Sequence, residues 1–171
     1  MAKCLGKCYI IGAGNYYESW LDMFYEISDE IRILDKWEAD SKNLCFACIS
    51  SQELREKGSI FGFDEETILA SQKENRAFRT GVDVHENYTF TKLRILQKDG
   101  NWDFISIYFK KNLLLIVDIK DDDESTRESF LNALKKFPIK RINLERLISC
   151  FFEILLRPMR KMIMKSSARR R

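Results

Sequence analysis

Four groups of residues in this chain have the type and spacing to do chemistry. Cys45-Phe46-Ala47-Cys48 has the C-x-x-C spacing of zinc sites and thiol–disulfide centres. Its flanks, Leu44 and Ile49, make it read as a buried strand, and side chains three apart on a strand point to opposite faces. With five cysteines, an odd number, and one histidine, the pair is expected to be small core residues, not a metal or redox centre. Gly12-Ala13-Gly14-Asn15 follows a strand-like stretch, and bare backbone N–H groups opening a helix suit a phosphate. Tyr17 stands where the dinucleotide fingerprint needs its third glycine, so a tight turn is the plainer reading. A nucleotide- or phosphate-binding role for the Gly12-Ala13-Gly14 turn is kept as the alternative function.

Asp121-Asp122-Asp123-Glu124 gathers four carboxylates but lacks the glycine and the later glutamate of a calcium loop. The run is expected to cap a helix. His85 is the single histidine, and Glu86 beside it on a strand would face the other way, so the two do not form an acid–base pair. No serine or cysteine nucleophile motif is visible. An exposed histidine and a chain that is not an enzyme are expected.

The elements that must position these residues follow from pattern. Cys8–Ile11, Ile31–Leu34 and Leu44–Ile49 read as strands, with a helix between the first two carrying Trp20, Leu21, Phe24 and Tyr25 on one face. Gly58 to Phe63 reads as a loop, and Asp64 as the N-cap of a short helix bearing Ile68 and Leu69. Tyr88–Leu96, Phe104–Phe109 and Leu113–Ile119 are rich in β-branched and aromatic residues and predict a meander at the heart of a sheet. Asp99-Gly100 makes the first turn, where glycine tolerates the positive φ a hairpin demands. The run Leu113–Val117 is apolar on both faces and suits a strand covered on both sides. A helix follows with Phe130, Leu131 and Leu134, closed by Lys135-Lys136 and Pro138. Asn143 then caps a final helix whose stripe is Leu144, Leu147, Ile148, Phe151, Phe152 and Leu155. Pro158 should kink or end it.

At 171 residues, 45% hydrophobic and with only seven glycines and two prolines, the chain suits one full core. Its net charge of +3 is unevenly spread. The stretch Arg157–Arg171 holds seven of the 29 basic residues and no acid, which leaves 22 basic against 26 acidic residues, or −4, elsewhere. The basic stretch suits acidic lipid headgroups or nucleic acid, yet a solvated tail explains it equally, and no nucleic-acid partner is expected. Leu113–Val117 is far shorter than the roughly 20 apolar residues of a spanning helix. Met1-Ala2-Lys3-Cys4 lacks the features of a secretory signal, so a cytoplasmic location is the default.

The order of several segments resembles the cytosolic domain of CorA-type magnesium transporters. They are Asp64–Leu69, Glu86–Phe90 with Leu93–Leu96 and Asp99, Lys111–Val117, and Lys140-Arg141-Ile142 leading into Leu144–Leu156. The likeness runs from about Lys36 to about Leu156. It implies an α/β fold, a mixed sheet with helices packed on it that leads into a long C-terminal helix. It also implies a homo-oligomer, and a regulatory magnesium ion held by Asp99. The family's two membrane helices and its Gly-Met-Asn signature do not occur, and Arg157-Pro158 interrupts the family pattern.

These readings divide the chain into 1–142, an α/β cytosolic domain, and 143–171, the start of a long helix with a basic tail. The function expected is a non-catalytic, truncated regulatory domain of a CorA-like divalent-cation transporter, unable to transport alone and tied to the membrane only through helices absent here. The bulky stripe on the final helix is expected to stay exposed for want of later helices to cover it.

Overall fold

The computed structural model of the chain describes residues 23–34, 37, 42–72, 80–97, 100–121, 124–136 and 142–157. Among the described residues seven strands form one mixed sheet: β1 (Met23–Ile27), β2 (Ile31–Leu34), β3 (Leu44–Ser50), β4 (Gly81–Val84), β5 (Tyr88–Leu96), β6 (Trp102–Lys110) and β7 (Leu113–Lys120). Their spatial order is β2-β1-β3-β7-β6-β5-β4. Every described neighbouring pair is antiparallel except β3 and β7, which run parallel with Cys45 opposite Leu113 and Ser50 opposite Asp118. The α/β class and the β5–β6–β7 meander read from the sequence are both present.

Strand β7 explains the two layers that cover the sheet. Leu113 through Val117 are fully buried, and their side chains alternate between two separate apolar clusters. Leu113, Leu115 and Val117 face helices α1 (Ser51–Phe61) and α2 (Glu65–Ala70), in a layer dominated by Phe24, Phe61, Phe63, Tyr88, Phe90 and Tyr108. Leu114 and Ile116 face α3 (Ser125–Lys136) and α4 (Leu144–Leu155), with Tyr25, Phe46, Phe130, Leu134, Leu147 and Phe151. A central strand with a helix layer on each side has no polar face to spare, which is why its sequence does not alternate.

The structure corrects three expectations. Phe24 and Tyr25 lie in β1, not on a helix. Their side chains enter opposite clusters, so a strand buried on both faces mimics a helical stripe. Gly58–Phe61 belongs to α1, not to a loop. That helix opens on a capping box, in which Ser50 Oγ accepts from Glu53 N and Glu53 Oε2 accepts from Ser50 N, both at 3.2 Å. It closes on Gly62 at φ 66°, and inside it Gly58 packs against Ile68, whose Cδ1 would stand 2.6 Å from a Cβ at that position. The apolar stripe of α4 is the third correction. Leu147, Phe151 and Leu155 are buried against the sheet and α3, while Leu144, Ile148 and Phe152 are half-buried. The chain's own sheet covers the face that was expected to await missing helices.

Helix α4 keeps its predicted cap, with Asn143 Oδ1 accepting from Arg146 N at 2.8 Å, and runs 12 residues. It ends at Leu155 with Leu156 as its C-cap, so the described residues do not show the expected long helix. Pro158, the strand Cys8–Ile11 and the Gly12-Ala13-Gly14 turn fall outside the described residues.

Phe130 anchors α3 by stacking on Phe46 with ring centroids 3.6 Å apart, and by meeting Tyr25 at 5.9 Å. Truncation in Phe130→Ala removes both ring contacts from a site without solvent. It should cost about 3–5 kcal/mol, read as a lower urea midpoint at unchanged slope.

Candidate functional site

The carboxyl ends of β3 and β7 adjoin, and one helix starts from each on opposite faces of the sheet. In open α/β sheets this is where ligands settle. Here the helix N-termini are occupied by the chain's own side chains. Ser50 and Glu53 close α1 as described. Asp121 closes α3: its Oδ1 accepts from Ser125 N at 2.9 Å, and its Oδ2 accepts from Thr126 N at 2.9 Å and Arg127 N at 3.4 Å. The capping role read for the acidic run therefore holds at Asp121, while Asp122 and Asp123 lie outside the described residues. A carboxylate at a helix N-terminus also meets the positive end of the helix dipole.

Beside this cap lies a polar cluster that sequence reasoning missed. Ser125 Oγ stands 3.2 Å from Asp103 Oδ2 and 3.3 Å from Asp121 Oδ1, so its single proton serves two carboxylates. Gln97 Nε2 donates to Ser125 Oγ at 2.8 Å and also to Asp103 Oδ2. Asp103 is 4% exposed, so these donors are what keep a carboxylate tolerable inside the protein. Gln97 follows the end of β5, Asp103 lies at the start of β6, and Ser125 opens α3. The hairpin register, which sets Ile95 opposite Asp103, brings Gln97 to Asp103, and the start of α3 adds Ser125.

The expected metal residue, Asp99, lies outside the described residues. The described members of the β5–β6 turn are Gln97, whose N–H donates to Asn101 O at 2.9 Å, and Gly100, whose N–H donates to Gln97 O at 3.1 Å. Gly100 has φ 91°, the positive value the Asp-Gly signal anticipated. Among the described residues no three His, Cys, Asp or Glu side chains converge in a way that holds a metal ion.

His85 is not the free surface residue expected. Its ring stacks on Tyr88 at 4.4 Å and 5°, and Nδ1 lies 2.8 Å from Asp64 Oδ2. The same Asp64 oxygen accepts the Tyr88 hydroxyl at 2.8 Å, and Tyr88 OH accepts Asp64 N–H at 3.1 Å. Asp64 is the N-cap of α2, as read from the sequence, but its carboxylate turns to Tyr88 and makes no side-chain cap bond. Deeper in, Tyr108 OH and Ser71 Oγ both donate to Thr67 O, at 2.7 and 3.0 Å, and Ser106 Oγ donates to Ser71 Oγ at 2.7 Å. This ladder satisfies the hydroxyls buried under α2 and fixes that helix to β5 and β6.

Cys45 and Cys48 point to opposite faces: Cys45 packs in the α1–α2 layer and Cys48 against the α3–α4 layer. Burial pushes both thiols up to about 12, with the charges of Glu26 and Asp118, respectively, adding to it. A thiol so far from ionisation is a poor nucleophile and a poor metal ligand.

Asp121→Ala leaves the first amides of α3 without their acceptor and should cost about 1 kcal/mol, with Asp121→Asn retaining most of the stability in urea titrations. Alkaline pH offers a second measurement, because burial also holds the Tyr25 and Tyr108 phenols up to about 12. In the unfolded chain thiols titrate at about 8.5 and phenols at about 10, so that chain sheds these protons first. The contribution of these groups is complete below about pH 8.5 and is lost as pH rises through the folded values. Urea midpoints measured across the alkaline range should fall steadily, and Cys45→Ala should flatten the early part of that fall.

No family model matches the chain, and no curated protein matches it. Solved structures do resemble it. The full-length CmaX protein is 10% identical at a TM-score of 0.66, covering 88% of this chain and 50% of that one. The CorA magnesium transporter from Methanocaldococcus jannaschii is 18% identical at 0.62, covering 88% and 49%. The ZntB cytoplasmic domain from Vibrio parahaemolyticus is 11% identical at 0.63, covering 85% and 62%. The chain thus spans about half the length of the complete proteins it matches. At these identities the likeness establishes architecture, and the chain carries the fold shared by CmaX, CorA and the ZntB cytoplasmic domain.

Proposed function

We propose that this chain is a cytosolic regulatory domain of a CorA-like divalent-cation transporter, acting without catalysis and within a homo-oligomer. The observation that carries the reading is the likeness of 88% of this chain to 49% of a CorA magnesium transporter. A domain of this kind biases a channel and leaves translocation to membrane-spanning segments. Among the described residues no helix is long and apolar enough to cross a membrane.

In this role Asp99 is the ligand of a regulatory magnesium ion. Magnesium is a hard ion that takes oxygen ligands and keeps several waters, so one carboxylate from each of two subunits suffices. Two described carboxylates are committed within the chain, Asp121 to the amides of α3 and Asp103 to Gln97 and Ser125. The cluster of Gln97, Asp103 and Ser125 joins the end of β5, the start of β6 and the start of α3.

Magnesium titration of the chain, followed by melting temperature and sedimentation, tests this reading. Magnesium should raise the melting temperature and favour the oligomer, and a concentration of about 100 Kd should add about 2.7 kcal/mol. Asp99→Ala should abolish both effects while melting like the parent without the ion. No magnesium response, or an equal response in Asp99→Ala, would overturn the assignment.

A further inference from the structure

We draw no further inference here: the strongest candidate, the outer edge of the sheet at β4, where Val82 and Val84 are 66% and 81% exposed, carries nothing because nothing in the structure shows what covers it.

Discussion

The parallel pairing of β3 with β7 is the constraint on which the rest of this structure depends. Two parallel neighbours cannot be joined by a tight turn, so the chain must leave the sheet and return. It uses that excursion for α1, α2, β4 and the β5–β6 hairpin before β7 slots beside β3. With β1 and β2 already on the far side of β3, β7 becomes central. A central strand has to be covered on both faces, and α1–α2 and α3–α4 divide that task.

The same pairing decides where polar groups can sit. Both parallel strands end at one edge and both feed a helix, which brings Ser50, Asp118 and Asp121 to a common end of the sheet. The helix amides that open there would suit an anion. They are answered by Ser50 and Asp121 instead, and Glu53 takes the amide of Ser50, which makes this end a self-capped one. What remains distinctive is the acidic cluster just beyond it, under the β5–β6 turn. Its two carboxylates share one serine hydroxyl, an arrangement that holds negative charge close to a hairpin without leaving either carboxylate without a donor.

The opposite layer has a different logic. Phe63, Tyr88, Phe90 and Tyr108 form a continuous aromatic slab, with Phe63 and Tyr108 stacked at 4.1 Å. The tyrosine hydroxyls emerge at its margin, where they meet Asp64, Thr67 and Ser71. Aromatic bodies thus supply buried area while their polar tips pin α2, a helix of six residues too short to be stable by itself. His85 closes the slab at its outer end by stacking on Tyr88.

Local chemistry is written in the sequence of this protein. The positive φ at Gly100, the cap at Asn143, the burial of Leu113–Val117 and the opposed faces of Cys45 and Cys48 all follow from short-range geometry, which a sequence carries in full. The class of fold follows from the order of such segments. Where both faces of an element are buried, periodicity loses its meaning, and Phe24 and Tyr25 read as helix for that reason. The α1 capping box at Ser50 and Glu53 is a usable signal that the glycine at position 58 obscures. The covering of α4 by its own sheet, the union of Gln97, Asp103 and Ser125, and the Asp64–His85–Tyr88 contact are decided by tertiary structure alone. Each joins residues from separate elements, and strand order and register, not neighbouring residues, set which of them meet.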